Sequence, residues 1–478
     1  MAGVIDGAVE RLADHTSGLL AASAIGVYLM VVVGATTSLL DAGTACTAWP
    51  TCNGGVLPGS EPMAVLAWGH RVVGLLVGLL LVATVVATWI NSGNRVKYVV
   101  TAAATLYPVQ TLLGASIALY GVSELVAVLH LSVAISIFTG VLVGLLWQLE
   151  AETVSPASAS AGSAGTDAEP FDEPSAVAVA PDAATSNTPT RLEVLKAYVS
   201  LTKPRLWWLL ALVAVAAMAL AAGPSLEART VVATVTGGVL AIGASGTYNN
   251  LLERDRDKQM ERTADRPLLD GTIEPWKALV FGVALTLASI AVFVAFVNVL
   301  AAALGFLAIL FYSVLYTLVL KPHTDQNIVI GGAVGAFPAL IGWAAVTNTV
   351  ELPAVVLGTI VFLWTPAHFY NLALAYKEDY ARADFPMLPI SRGDALTRRH
   401  ILLYLGATMA AALTLGTIQG LGWLYATAVV AVGGVFLWAV TRLFRERTER
   451  AAFRSFHAAN AYLGVLLLAI VVDALVIT

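Results

Sequence analysis

Polar and charged side chains gather between Asn249 and Leu268, in the segment NNLLERDRDKQMERTADRPL. Asn249, Glu253 and Asp257 recur at four-residue steps, which on an α-helix drift by only about 40° each, so that the three side chains share one face. Carboxylate and amide oxygens suit Mg²⁺, and basic side chains pair with phosphate oxygens. The pattern predicts a site for a magnesium-bound diphosphate, the alternative being a charged loop between membrane helices. The bases of the segment are Arg254, Arg256, Lys258, Arg262 and Arg266.

The elements that position this segment must be membrane helices. The chain of 478 residues is 58% hydrophobic and only 12% charged, and apolar stretches of at least about 18 residues recur along it. Four such stretches precede residue 150 and nine follow, which predicts an all-α integral membrane protein. The predicted spans are about 18–40, 63–90, 98–120, 123–147, 206–223, 230–251, 277–297, 298–320, 327–347, 353–375, 400–419, 421–443 and 456–477.

Basic residues indicate the orientation. With the N-terminus inside, all of the 26 Lys and Arg except Arg71 and Arg229 fall on cytosolic segments, as expected for a multi-pass protein of the cell membrane. The predicted diphosphate site then faces the cytoplasm. Because orientation already explains the basic residues, we expect no nucleic-acid partner.

A polar segment divides the chain. Residues 150–192 are rich in Ala, Ser, Pro, Asp and Glu and nearly free of large apolar side chains, so we expect a disordered linker. It separates a four-helix block, residues 1–149, from a nine-helix block, residues 193–478. Since the linker is long and polar, we expect the two blocks to behave as independent modules.

The second block, from about residue 195 onward, resembles the UbiA-type intramembrane prenyltransferases. The acidic row is similar to the first aspartate-rich motif of that family, with Glu253 where Asp is usual. The continuation MERT..RPL, together with TKPR at 202–205 and NIVIGG from Asn327, resembles the protohaem IX farnesyltransferase (haem O synthase) branch. The resemblance implies transfer of a farnesyl group from farnesyl diphosphate to haem B, with Mg²⁺ as cofactor.

The resemblance also implies roles for particular residues. A second acidic motif is expected to face the first, with Asp379 as the best candidate for a further metal ligand and Glu378 and Asp384 as helpers or solvated loop residues. Asn249, Glu253, Asp257 and Asp379 are then the catalytic set. His368, in TPAHF, either contacts the porphyrin or is a core residue. The expected diphosphate-binding bases are Arg262, Arg266 and Lys321.

The first block carries a second polar site. His70 and His130 lie on different helices at similar depth, and two such histidines in a four-helix bundle can bind haem iron from both sides. Cys46 and Cys52 are the only cysteines, in an outer loop without Lys or Arg, which favours a disulfide over free thiols or a metal pair. The block resembles one half of a haem A synthase, and we expect haem binding rather than haem oxidation.

Two other functions remain open at this point. One is a UbiA-type transferase that acts on a quinone ring or a glycerol lipid, and the other is a haem-binding transporter or electron conduit without catalysis. Besides haem B, farnesyl diphosphate and the lipid bilayer, the expected partners are haem A synthase or terminal oxidase assembly proteins.

Overall fold

The computed structural model of the protein describes residues 15–46, 48–52, 55, 57–121, 123–154, 190–263 and 266–477. Regular structure in these ranges is helical, apart from a single bridge between Cys52 and Gly55. Thirteen helices in the described ranges are long and apolar enough to cross a membrane, four in the first block and nine in the second. The all-α membrane fold is therefore confirmed.

The four helices of the first block are α1 (Thr16–Leu39), α2 (Pro62–Asn91), α3 (Asn94–Tyr120) and α4 (Glu124–Val154). A shorter helix, α5 (Arg191–Leu201), precedes the second block. The nine spans that follow are α6 (Pro204–Ser225), α7 (Ala228–Leu252), α8 (Pro275–Phe296), α9 (Val299–His323), α10 (Asn327–Thr347), α11 (Leu352–Ala375), α12 (Asp394–Gln419), α13 (Trp423–Glu446) and α14 (Glu449–Val476).

Helices of the first block form a four-membered ring. Helix α1 packs against α2 and α4, and α3 packs against the same two helices, so α2 and α4 occupy opposite corners. Both histidine-bearing helices, α2 and α4, therefore face each other across the bundle. The loop that contains the two cysteines lies at the end where α2 and α4 begin.

The second block is a larger ring in which each of the nine helices packs against the next and α14 closes against α6. Because consecutive helices run in opposite directions, the α7–α8, α9–α10 and α11–α12 connections share one end of the ring. The two predicted acidic segments follow α7 and α11, so the ring brings them to the same end. Helix α9 widens into π-helical turns over Phe311–Leu320, directly beside this end.

The boundaries of the polar segment differ from the prediction. Helix α4 continues to Val154, and α5 already begins at Arg191, so part of 150–192 is helical. Glu150 accepts two hydrogen bonds from Arg399, at 2.7 and 3.0 Å, and this tertiary contact holds the end of α4 against α12. The start of α5 is set by a capping box of Thr190 and Glu193. The remaining prediction, disorder in the linker, concerns residues that lie mostly outside the described ranges.

The two blocks are packed together, which a long polar linker did not lead us to expect, while the independent function of each block stays a prediction. Helices α1 and α4 contact α12 and α13, and one continuous apolar core runs through both blocks. Within it, the buried hydroxyl of Tyr28 donates to the carbonyl of Met409 at 3.0 Å. Arg445 also donates to Ser17 at 2.7 Å. The composition of a polar linker shows only that the linker itself cannot form a core. It does not show whether the helices before and after the linker pack against each other.

Candidate active site

The acidic row is buried at the end of α7. The helix ends at Leu252, yet Glu253 donates its N–H to the Asn249 carbonyl at 2.9 Å and Asp257 donates to the Glu253 carbonyl at 2.8 Å. The four-residue repeat therefore continues past the helix end, and the three side chains stay in register. Their exposed fractions are 2%, 5% and 1%. The two buried carboxylates require counter-charge, and the buried amide of Asn249 requires hydrogen-bond partners.

Lysine and arginine side chains supply that charge. The Lys321 ammonium donates to both carboxylate oxygens of Glu253, at 2.6 and 2.7 Å. Arg266 forms an ion pair with Asp257, and Lys203 donates to the side-chain oxygen of Asn249. Each member of the row thus has one basic partner, and each partner comes from a different segment of the second block.

The surroundings shift the proton affinities of these groups. Burial raises the pKa of Glu253, but the charges of Lys321 and Lys203 outweigh it and hold that pKa below the usual value. Burial also raises the pKa of Asp257, and here Arg266 opposes it only in part. Burial lowers the pKa of Lys203 to about 7, against the attraction of Glu253. The cluster therefore holds its charges by mutual pairing rather than by solvent.

The second acidic segment contributes Asp379. Its carboxylate pairs with Arg382 and lies 3.9 Å from Nε of Arg262, a residue of the first segment. The Arg262 guanidinium also lies over the rings of Tyr376 and Tyr380, 5.1 and 4.7 Å from their centroids. Arg262 therefore contacts the second acidic segment although it belongs to the first. A basic residue that binds a diphosphate held between the two segments would have this position.

Glu378 and Asp384 do not join this cluster. Both side chains are exposed, and Asp384 follows the end of the short helix Lys377–Arg382 with a left-handed backbone, φ 52°. Of the three acidic candidates in this segment, only Asp379 points inward. Their exposure favours the solvated-loop alternative for these two residues: on this short helix Asp379 and Tyr380 form the buried face and Glu378 lies on the exposed one.

The donor set suits Mg²⁺ chemically, since it consists of hard oxygen ligands. One carboxylate oxygen of Asp257, Oδ1, is buried without a hydrogen-bond partner, which leaves an acceptor available for a cation. Within the described ranges, however, no three acidic, His or Cys side chains converge on one point. The bases hold the carboxylates in separate pairs in this state.

An apolar cavity opens beside the row. Its mouth is formed by Lys203, Gly246 and Tyr312, and its walls come from α6, α7, α9 and α10. Along α7 it extends from Gly246 to Thr234, twelve residues or about 18 Å at the helical rise. Its volume is about 100 Å³, below the roughly 300–1,000 Å³ of ligand pockets, so its apolar lining suits a long hydrocarbon chain only when the surrounding helices move apart.

Comparison with known proteins agrees with this geometry. Residues 209–465 match the UbiA prenyltransferase family, and residues 17–168 match a family described as cytochrome oxidase assembly protein. Protoheme IX farnesyltransferase 1 of Natronomonas pharaonis is 54% identical over 461 residues, which cover 96% of this chain and 99% of the relative. This chain belongs to the UbiA prenyltransferase family. It is an enzyme of prenyl transfer.

Two further comparisons bear on the blocks. Protoheme IX farnesyltransferase 1 of Saccharopolyspora erythraea is 43% identical over 304 residues, 97% of its own length but 63% of this chain. The matched length of 304 residues is shorter than the two blocks of this chain together. A solved structure of digeranylgeranylglyceryl phosphate synthase covers 59% of this chain and 99% of its own, with 17% identity and a TM-score of 0.50, and supports the UbiA fold alone.

Two further residues contact the acidic row without a signal in the sequence that assigns them to it. Lys203 belongs to the TKPR motif, and Thr317 accepts a hydrogen bond from the Asn249 amide at 3.0 Å. Lys203 has a left-handed backbone, φ 53°, between α5 and α6, and this turn aims its side chain at Asn249. A lysine just before a predicted span reads as an orientation signal, so its role depends on tertiary contact.

His368 lies away from the acidic row. Its ring stacks between those of Trp364 and Phe456, with centroids 4.2 and 4.4 Å away, where α11 packs against α14. It lines neither the apolar cavity nor the cleft beside Lys203. This placement favours the core-residue alternative over porphyrin contact.

The histidines of the first block sit at equivalent positions. His70 is near the start of α2 against Gly34, and His130 is near the start of α4 against Gly114; a Cβ on either glycine would lie 2.9 or 3.2 Å from the facing ring. Nδ1 of both histidines is buried without a hydrogen-bond partner, while Nε2 of His130 lies 3.1 Å from the amide nitrogen of Gln110. Each histidine ring therefore fits because the residue that faces it on the neighbouring helix is a glycine without a side chain.

The outer loop covers that end of the bundle. Cys46 and Cys52 are joined by a disulfide, and both are buried. Arg71, the residue after His70, donates to the carbonyl of Ala48 at 2.7 Å and of Cys46 at 3.3 Å. The loop is therefore fixed to the histidine-bearing helix itself.

Proposed function

We propose that this chain transfers the farnesyl group of farnesyl diphosphate to a vinyl group of protohaem IX (haem B) and releases haem O and diphosphate. The observation that carries the proposal is the buried row Asn249–Glu253–Asp257, with its bases, at the mouth of an apolar cavity. The 54% identity to a protoheme IX farnesyltransferase over nearly both full chains supports the choice of acceptor.

The chemistry divides between the row and the cavity. Arg262, Arg266 and Lys321 exchange their carboxylate partners for diphosphate oxygens and stabilise the charge that develops on the leaving group. The C–O bond of farnesyl diphosphate breaks, and its electron pair leaves with the diphosphate. The allylic cation stays in the apolar cavity, away from water, until the vinyl electrons form the new C–C bond.

The second half of the reaction adds water. Bond formation leaves a cation on the vinyl carbon next to the porphyrin, where water adds and loses a proton, which gives a hydroxyethylfarnesyl side chain. Glu253, Asp257 and Asp379, with the amide oxygen of Asn249, would hold Mg²⁺. The metal, when bound, supplies further positive charge against the diphosphate oxygens.

Charge distribution supports the orientation. Glu150 and Ser17 of the first block pair with Arg399 and Arg445 at the end of the second block that carries the acidic row. Both blocks therefore place their basic ends on one side, and the excess of Lys and Arg there makes it the cytoplasmic side. On this proposal the protein spans the cell membrane with its N-terminus and its transferase site facing the cytoplasm.

A competition assay tests the acceptor. Purified full-length protein receives farnesyl diphosphate, Mg²⁺ and an equimolar mixture of protohaem, 4-hydroxybenzoate and geranylgeranylglyceryl phosphate. We expect farnesylated protohaem as the main product by mass spectrometry. A prenylated benzoate or lipid as the main product would favour another UbiA-type activity, and no product from any acceptor would favour a non-catalytic haem protein.

For the first block we propose haem binding through His70 and His130, which rests on their buried, unpartnered nitrogens and on the glycines opposite their rings. Full-length protein titrated with haem should show a six-coordinate spectrum, lost in His70→Ala and in His130→Ala. Ser132→Ala, on the same helix as His130 but exposed, is the control. Retention of the spectrum in both histidine variants would assign the residues to packing.

A further inference from the structure

A cleft lined by basic residues lies between α5, the start of α6 and the end of α7. Its volume is about 780 Å³, within the range of roughly 300–1,000 Å³ found for ligand pockets. It is lined by Leu195, Lys196, Val199, Ser200, Leu201, Lys203, Pro204, Arg205, Leu206, Asn250, Arg266 and Pro267.

Charge among the described residues of this cleft is of one sign. Of the lining residues that the structure describes, four are cations and none is a carboxylate. Two of the four already have partners in the acidic row, because Arg266 pairs with Asp257 and Lys203 donates to Asn249. The other two, Lys196 and Arg205, make no ion pair with any residue that the structure describes.

The acidic residue nearest to Lys196 in the sequence caps the start of α5. Glu193, one helical turn before Lys196, accepts hydrogen bonds from the backbone N–H and the hydroxyl of Thr190, at 2.7 and 2.9 Å, and so caps the start of α5. This capping box fixes the beginning of α5 and engages the carboxylate with Thr190. The charge of Lys196 acts on this carboxylate but forms no ion pair with it, so the ammonium stays available to a ligand in the cleft that it lines.

The walls of the cleft are apolar and open. Leu195, Val199 and Leu206 are 60%, 43% and 45% exposed, and each lines the cleft. Leu206 and Lys203 line the farnesyl cavity as well, so the two spaces meet at the point where the reactive carbon would emerge. An acceptor in this cleft would therefore reach the allylic cation without crossing the acidic row.

From this arrangement we infer that the cleft is the acceptor site, and that Lys196 and Arg205 bind the two propionate carboxylates of protohaem while the apolar walls cover the porphyrin. The inference rests on the proposed function and assigns its acceptor-binding residues. Two cations without acidic partners meet two carboxylates, and the vinyl groups, on the opposite edge of the porphyrin, then point toward the cavity mouth.

Steady-state kinetics in neutral detergent test the assignment, with protohaem and its dimethyl ester as acceptors. For wild-type protein we expect a KM about fivefold to tenfold higher for the ester, since two charge-assisted contacts are lost. Lys196→Gln/Arg205→Gln should raise the KM for protohaem by the same factor, leave kcat and the KM for farnesyl diphosphate unchanged, and remove the preference for the free acid. Lys277→Gln/Arg450→Gln removes two charges from exposed positions outside the cleft and is the matched control.

Equal use of ester and free acid by wild-type protein would overturn the assignment while leaving the farnesyl transfer intact. An effect of the double variant that appears only in vesicles with anionic lipid would assign the cations to lipid headgroups and overturn it too. If wild-type protein makes no farnesylated haem, the proposed function fails, and binding still decides the cleft. Quenching of tryptophan fluorescence by protohaem, in a His70→Ala/His130→Ala background, should weaken in the cleft variant and not in the control; equal quenching would refute the cleft.

Discussion

At the residue scale, the acidic row is neutralised by basic side chains from three separate segments of the second block. The spacing of Asn249, Glu253 and Asp257 predicts one shared face, and the backbone hydrogen bonds that continue past Leu252 preserve it. The same reasoning left the partners undetermined, because Lys203 and Lys321 reach the row from other helices. Residue type and spacing report local geometry, whereas charge compensation depends on which helices meet.

The acidic row allows a sharp comparison of variants. Asp257→Asn and Glu253→Gln should each lower the rate of farnesyl transfer by at least about a hundredfold, because each removes an anionic oxygen ligand and leaves a buried base unpaired. Asp255→Asn, in the same segment but 91% exposed at its side chain, should leave the rate nearly unchanged. Product formation by all three variants at the wild-type rate would contradict the assignment of the row.

At the scale of elements, the hydropathy of the sequence predicts the thirteen candidate membrane spans of the described ranges. The periodicity of the helices does not predict the cavity that α6, α7, α9 and α10 enclose. The predicted runs 206–223 and 230–251 correspond to α6 and α7, each within a few residues. Small residues of these neighbouring helices, such as Ala211, Gly238 and Ala241, line the cavity and leave its space open. Small apolar residues are equally compatible with close helix contact, so their meaning requires the packed structure.

Gly238 gives a test of the cavity. A Cβ at this position meets no atom within 4 Å, and the residue lines the cavity, so Gly238→Leu should fill space that the farnesyl chain uses without disturbing the fold. We expect activity with farnesyl diphosphate to fall and activity with the shorter geranyl diphosphate to be retained. The measurement is kcat/KM for the two donors.

The neighbouring glycine is the control for that variant. A Cβ at Gly237 would lie 2.9 Å from the Phe293 ring, so Gly237→Ala should lower thermal stability and affect both donors alike. An unchanged donor preference in Gly238→Leu would mean that the chain does not occupy this cavity.

At the scale of the whole molecule, the two blocks form one packed unit although the polar segment between them suggested two. The contact has an apolar part, through Tyr28 and Met409, and a charged part at the end that carries the acidic row. Nothing in the linker sequence reports it, because the contacting residues belong to spans whose lipid-facing and protein-facing sides are about equally apolar. The 43% identical relative, whose matched length is too short for both blocks, indicates that the contact adds to a transferase fold rather than completing it.

The ion pair between Glu150 and Arg399 can be tested by exchanging its two charges. Arg399→Glu should lower the melting temperature of the full chain in detergent by a few degrees, since it places two carboxylates together where Glu150 now accepts two hydrogen bonds. Adding Glu150→Arg should restore most of the loss. Arg442→Glu, whose ion pair with Glu446 lies within α13, should not be rescued by Glu150→Arg. Rescue in neither or both cases would argue against a specific contact between the blocks.

The central claim is that this chain joins a farnesyl cation to a protohaem vinyl group and that water completes the product. Purified full-length protein, farnesyl diphosphate, Mg²⁺ and protohaem in water enriched in ¹⁸O, analysed by mass spectrometry of the extracted haem, test it most directly. The account predicts a haem that has gained one farnesyl group and one ¹⁸O-labelled hydroxyl, and no such species with Asp257→Asn. A haem of unchanged mass from wild-type protein, or a farnesylated haem without the label, would contradict it.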